Sequence, residues 1–158
     1  MTFKLRFSLL VLVICLFSSS STSKVLSSKE ILDLVNKDRI QHGLSELSIS
    51  PTLNIAALSK AEDMLTKNYF GHIAPDGTQP WHWFKTSGYN YAYAGENLAI
   101  GFSDPKDLEN SWMASSTHRA NILSPFYSEV GLAVITERNK NVVVQFFGSK
   151  DDRLSLKR

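Results

Sequence analysis

The position of the only cysteine constrains the fold of this chain more than any other feature. Cys15 lies inside the apolar run formed by residues 7–17, close to the N-terminus. If that run is removed on export, the rest of the chain enters an oxidising space without a cysteine. It must then hold together by packing alone, and roughly 130 residues can bury one adequate hydrophobic core. The sequence therefore predicts a single domain without disulfides.

Residues 1–23 have the pattern of a secretory signal peptide. Lys4 and Arg6 precede the apolar run, and the serine-rich residues 18–23 supply small side chains for cleavage. A membrane-spanning helix needs about 20 apolar residues, which is longer than this run. Bulky neighbours make Cys15 a poor lipidation site. We expect a secreted or extracytoplasmic protein with no transmembrane segment in the mature chain.

The charge of the mature chain is close to balanced. Of the 17 Lys and Arg residues two, Lys4 and Arg6, lie in the leader, which leaves 15 basic against 15 acidic residues. The sequence also has no basic cluster of the kind that binds nucleic acid or an anionic membrane. We expect no nucleic-acid partner, and we expect a monomer.

Helix caps and residue patterns predict a mixed α/β (α+β) domain. Ser27, Ser50 and Asp104 each precede an apolar or Pro-initiated run, as N-caps do. Two β-rich runs near the C-terminus, joined by polar residues, are typical of an antiparallel hairpin. The expected elements are helices at about residues 27–43, 50–69, 81–86, 104–112 and 118–123, and strands at 130–136 and 142–147.

Three segments carry the residues best suited to a functional site. They are residues 71–77 with His72, residues 94–99 with Glu96, and residues 112–123 with His118. Each lies beside Gly, Pro or a helix boundary, where a polar side chain can point into a cleft. The three residues are far apart in sequence, so only the fold can bring them together.

In this order, the segments resemble the CAP superfamily (SCP/TAPS: cysteine-rich secretory proteins, antigen 5, pathogenesis-related 1), specifically its small bacterial secreted branch. The resemblance implies a three-layer α-β-α sandwich with a small antiparallel sheet, spanning residues 27–149 before a polar tail at 150–158. It also implies a cleft holding His72, Glu96 and His118. Ser115 stands where eukaryotic members carry a second glutamate, so one carboxylate is missing.

The predicted cleft is compatible with more than one chemistry. Two imidazoles and a carboxylate could bind Zn²⁺ or another divalent cation, although no cofactor is required. The carboxylate could instead fix a histidine tautomer, or the three side chains could simply tie loops to the sheet. Ser115, Asn97 and Gln145 are further candidates for the cleft. Serine catalysis at Ser115 or Ser116 is disfavoured because the sequence lacks a nucleophile elbow.

The function expected from these features is that of a non-enzymatic extracellular binding module for a small molecule, lipid, peptide or divalent metal. Two alternatives stay open: a metal-assisted hydrolase acting on peptide or envelope material with Glu96 as base, and a structural surface-interaction protein with a vestigial cleft. The aromatic-rich residues 81–93 either pack in the core and at its rim or form a carbohydrate or peptide platform.

Overall fold

A computed structural model describes residues 26–151, so the predicted leader and all of the predicted tail beyond Asp151 lie outside the described residues. Within this range the chain forms five helices and four strands. The helices are α1 (Ser28–Gln41), α2 (Pro51–Thr66), α3 (Trp81–Thr86), α4 (Pro105–Ala114) and α5 (Ser116–Ile122). The strands are β1 (Ser48–Ile49), β2 (Tyr91–Ile100), β3 (Glu129–Glu137) and β4 (Lys140–Lys150).

Three helices begin where the capping patterns place them. The side chain of Ser27 accepts the N–H of Glu30, Ser50 caps α2, and Asp104 caps α4. A proline occupies the first turn of both α2 and α4, where its missing N–H costs nothing. Helix α5 starts two residues earlier than expected and has no side-chain cap.

The four strands form one sheet in the order β1-β3-β4-β2. The predicted hairpin of β3 and β4 is confirmed as antiparallel, and β2 pairs antiparallel with the other side of β4. The short strand β1 pairs parallel with β3, which adds one parallel contact to the expected antiparallel sheet. Neither β1 nor β2 was predicted, because Ala, Gly, Glu and Asn interrupt the β-branched pattern in β2.

Helices cover both faces of the sheet, which confirms the three-layer α-β-α sandwich. One apolar cluster joins α2 and α3 to the sheet and includes Leu53, Phe84 and Phe146. The other joins α1, α4 and α5 to the opposite face and includes Ile31, Trp112 and Phe147. None of the helices between residues 26 and 151 is long and apolar enough to span a membrane.

Strand β2 lies at the edge of the sheet, and its outward carbonyls are satisfied by side chains. An edge strand normally exposes unpaired backbone groups. Here three alternate carbonyls of β2 accept bonds from the layer that contains α4 and α5: Ala94 from Tyr127, Glu96 from Asn121, and Leu98 from Trp112, at 3.0–3.2 Å. Gly95 is required for this approach, since a Cβ there would lie 2.6 Å from the Tyr127 hydroxyl.

A buried acid joins α4 to α1. Glu109 of α4 is 2% exposed and faces the carboxylate of Asp38 in α1. Burial, and next the neighbouring acid, raise the pKa of Glu109 to about 8. Glu109 is therefore protonated at neutral pH, and neither of its carboxyl oxygens has a hydrogen-bond partner among the described residues.

This protonation predicts that stability decreases as pH rises from about 4.5 to about 8. The folded state keeps a proton that the unfolded Glu109, with its ordinary pKa of 4.5, releases. The free energy of unfolding should therefore fall as pH rises from about 4.5 to about 8, in total by a few kcal/mol. Glu109→Gln keeps a donor but does not titrate, so its stability should depend less on pH. Urea unfolding at about pH 6 and about pH 9 checks this, with Glu62→Gln, at an exposed position of α2, as control. Equal pH slopes in the wild type and Glu109→Gln would contradict the assignment.

Candidate functional site

His72 and Glu96 come from different elements and are hydrogen-bonded. Glu96 lies in β2 and is buried, whereas the ring of His72, in the loop between α2 and α3, is 57% exposed. The Nδ1 atom of His72 bonds to Oε1 of Glu96. The structure therefore brings together two of the three residues predicted for the cleft, with the carboxylate beneath the imidazole.

A tight turn follows His72 in the loop. The N–H of Ala74 donates to the carbonyl of Thr78 at 3.0 Å, and Gly77 has a φ of 85°, which suits glycine. The carboxylate of Asp76 accepts the N–H of Thr78 and pairs at 2.7 Å with Lys67, the C-cap residue of α2. These contacts hold the loop that carries His72 against α2.

Burial and neighbouring groups have opposite effects on the pKa of Glu96. Burial raises the pKa of its carboxyl, while the bond from His72 and the positive charge of Lys60 act in the opposite direction. The second oxygen, Oε2, is buried and has no hydrogen-bond partner among the described residues. Burying an acceptor without a donor destabilises the folded protein. A bound group that donates a hydrogen bond to Oε2 would therefore be stabilised most at this atom.

Lys60 is the main site residue that the sequence reasoning missed. It is fully buried in α2, and its Nζ donates to the His72 carbonyl at 2.9 Å and to the Tyr69 hydroxyl at 3.0 Å. The ammonium also lies 4.4 Å from the centre of the Trp83 ring, a favourable cation–π position. A signal was present: Lys60 falls two helical turns after Leu53, on the apolar face of α2, where a lysine is seldom buried without partners.

His118 approaches from the other helical layer. It lies in α5, and its ring centre is 6.5 Å from that of Trp112. Burial, and next the charge of His72, lower the pKa of His118. His118 therefore lies within electrostatic range of His72 and stays neutral at neutral pH.

A chain of buried amides connects the two halves of the site. The Nδ2 atom of Asn97 donates to the His118 carbonyl at 3.3 Å and to the side chain of Gln145 at 3.2 Å. Asn121 in turn donates to the Glu96 carbonyl and to Oδ1 of Asn97, both at 3.0 Å. Asn97 and Gln145 are fully buried, so the structure places these two predicted cleft residues behind the site, where they hold its backbone.

Ser115 lies at the junction of α4 and α5. Its backbone is extended there, which separates the two helices, and its Oγ pairs with Oγ1 of Thr117 at 3.2 Å. The side chain is half-buried. The role expected for it, facing the cleft in place of a second glutamate, stays a prediction.

The metal hypothesis gains no support from this arrangement. Between residues 26 and 151 no group of three or more His, Cys, Asp or Glu side chains is placed so that it could hold a metal ion. Moreover, one nitrogen of His72 is already engaged by Glu96. Metal binding by His72, Glu96 and His118 stays a prediction.

Comparison with known proteins identifies the family. The sequence model of the CAP family, described as the cysteine-rich secretory protein family, matches residues 32–147, and the chain belongs to this family. The uncharacterized protein YkwD of Bacillus subtilis (strain 168) is 36% identical over 131 residues, covering 83% of this chain and 51% of that protein. The chain thus spans about half the length of this relative.

Solved structures agree with the fold. An extracellular protein containing an SCP domain from Bacillus anthracis superposes with a TM-score of 0.71 at 28% identity, over 77% of this chain and 40% of that one. An outer surface protein from Borrelia burgdorferi gives a TM-score of 0.72 at 22% identity, over 78% and 92% of the two chains. Both likenesses extend over most of the described domain.

The contacts of Lys60 predict an electrostatic effect on Glu96. Lys60→Met removes the ammonium but keeps an unbranched side chain, so the pKa of the Glu96 carboxyl should rise further, because the Lys60 charge now lowers it. Titration of the Glu96 carboxyl carbon by NMR measures this. Lys67→Met is a matched control, since it frees Asp76 on the same loop and removes a charge that is not among the causes of the Glu96 pKa shift. Equal shifts in both variants would show that loop movement, and not the Lys60 charge, sets the pKa.

Proposed function

We propose that this CAP domain is a non-enzymatic binding module that acts outside the cell. In this proposal, its His72–Glu96 cleft receives a small ligand that presents a hydrogen-bond donor or a cation. Two observations support the location: the signal-peptide pattern of residues 1–23, and the related SCP-domain protein of Bacillus anthracis, which is extracellular. The ligand class follows from the geometry of the cleft.

The unsatisfied acceptors of the cleft carry the proposal. In this proposal Glu96 accepts the Nδ1–H of His72, and the Nε2 atom of a neutral His72 offers a lone pair to the ligand. The Oε2 atom of Glu96 is a second acceptor without a partner among the described residues. His118, neutral because its pKa is lowered, can offer a third lone pair. Amines, hydroxyl groups and divalent cations match such a site.

Binding is favoured over hydrolysis by the partners of the two imidazoles. Nucleophilic catalysis needs a hydroxyl or thiol within hydrogen-bond reach of its base. In residues 26–151, the ring of His72 bonds to Glu96, and the hydroxyl of Ser115, between α4 and α5, pairs with Thr117 and not with His118. Metal-assisted hydrolysis with Glu96 as base remains the competing proposal.

A titration of the full-length chain with paired probes tests the ligand class. Hexylamine and hexanoate share an apolar tail, but only the amine presents donors, so hexylamine should perturb the NMR signals of His72, Glu96 and His118 and hexanoate should not. Glu96→Gln removes the charged acceptor and should weaken hexylamine binding by about tenfold or more. His82→Ala, an exposed histidine of α3, serves as control. Equal binding of both probes, or binding that is unchanged in Glu96→Gln, would overturn the ligand class.

Zinc provides a second arm of the same experiment. If the cleft takes a divalent cation, affinity should fall as pH drops through about 6.5, because each imidazole must be neutral to coordinate. Calorimetry with Zn²⁺ at about pH 7.5 and about pH 5.5 measures this, with His118→Ala as comparison. Equal heats in both proteins would reject the cation and leave the organic donor. Cleavage of an added peptide would instead support the hydrolase.

A further inference from the structure

The short helix α3 leaves one of its three aromatic residues at the surface. Trp83 and Phe84 are buried in the core, whereas Trp81 is 39% exposed. An indole is the largest apolar side chain, and leaving its face in water forgoes stabilisation. The sequence left open whether this aromatic stretch packs in the core or forms a platform. In the structure Trp83 and Phe84 pack in the core, and the ring of Trp81 remains accessible to a ligand.

The partly exposed ring of Trp81 packs against two other aromatic rings. Its centre lies 5.9 Å from the ring of Phe84, edge to face, and 6.2 Å from that of Tyr91. Phe84 in turn packs at 4.5 Å on Phe146 in the core. A platform fixed in this way loses little conformational entropy when a ligand stacks on it.

A groove of about 460 Å³ runs beside this ring. Its lining combines aromatic and polar side chains, namely Trp81, His82, Lys85, Tyr89, Asn90 and Tyr91. It shares no residue with the His72–Glu96 cleft. An aromatic floor with a few convergent polar groups is the usual composition of a small-ligand site.

The polar side chains of the groove are available to a ligand. Within the described part of the chain, the side chains of His82, Lys85 and Asn90 make no hydrogen bond or ion pair with protein groups. The nearby acid Glu129 is already engaged, by the Tyr89 hydroxyl at 2.6 Å and by Lys150 at 3.0 Å. The groove therefore offers donors and the positive charge of Lys85, and the acid Asp151, whose N–H donates to the Asn90 carbonyl, adjoins its edge.

We propose that this groove binds an acidic glycan, with a sugar ring stacked on Trp81 and a carboxylate of the chain facing Lys85. A sugar ring has an apolar C–H face that suits an indole, and its hydroxyl groups are acceptors for the amide of Asn90 and the imidazole of His82. A proline-rich peptide could also stack on the aromatic floor. It would leave the charge of Lys85 without a partner, so the observations favour the acidic glycan.

The test compares two oligosaccharides of similar length. Oligogalacturonate carries a carboxylate on each ring and maltohexaose carries none, so calorimetry with the full-length chain should detect the first at least tenfold more strongly. Added salt should weaken this binding because Lys85 is exposed to solvent. Trp81→Ala and Lys85→Met should each reduce the affinity for oligogalacturonate about tenfold.

Two controls, and one test variant that leaves the core intact, make the outcome decisive. Phe126→Ala removes an exposed aromatic ring elsewhere on the surface and should leave glycan binding unchanged. His72→Ala should also leave it unchanged, which separates this groove from the proposed function of the cleft. Lys85→Met changes an exposed side chain, so it tests the site even if Trp81→Ala fails to fold. Equal binding of both sugars, binding of a proline-rich peptide alone, no binding of oligogalacturonate, or an unaffected Lys85→Met variant would each overturn the proposal.

Discussion

The edge strand β2 is the constraint on which the candidate site depends, because it contacts both helical layers. Successive side chains of a strand point to opposite faces. Glu96 therefore meets His72 and the field of Lys60 on the α2 side. Asn97 meets the His118 carbonyl on the other side. Two consecutive residues thus place two histidines from different layers within electrostatic range of each other. The donors that close the outer edge of β2 also keep a second strand from pairing there.

Burying Glu96 and Lys60 in the same region costs desolvation free energy, and neighbouring polar and aromatic groups reduce that cost. A charge removed from water must be paired and hydrogen-bonded. Lys60 has two oxygen acceptors and an aromatic face, whereas Glu96 has one bonded oxygen and one without a partner among the described residues. The missing hydrogen bond is therefore on Glu96, whose carboxylate lies beneath the exposed imidazole of His72. An unsatisfied buried acceptor calls for an explanation, and at Glu96 a bound group would supply the missing donor.

Much of the fold could be predicted from local signals. Ser27, Ser50 and Asp104 cap helices by short-range bonds that depend only on neighbouring residues, and the β3–β4 hairpin follows from two β-rich runs. Strand β2 could not be recognised, because its Gly95 and Asn97 are explained by contacts with distant Tyr127 and Gln145. The structure brings His72 and Glu96, from two of the motif segments, into contact. Local patterns could not show that Asn97 and Gln145 lie behind the site, since burial is a property of the assembled layers.

Two buried cations do in this domain what disulfides do in many secreted proteins, namely fix loops that lack regular structure. Lys60 holds the carbonyl of His72 on one side of the sheet. On the other side the buried Arg39 of α1 donates to the carbonyls of Ile122 and Ser124, at 2.7 and 2.9 Å, and to that of Tyr127. These carbonyls lie at the end of α5 and just after it, so Arg39 ties the helix that carries His118 to α1. Guanidinium and ammonium groups can donate several hydrogen bonds at once: Arg39 bonds three carbonyls, whereas Lys60 bonds one carbonyl and one hydroxyl. Because such bonds require the packed layers around them, the geometry of the cleft is coupled to the stability of the whole sandwich.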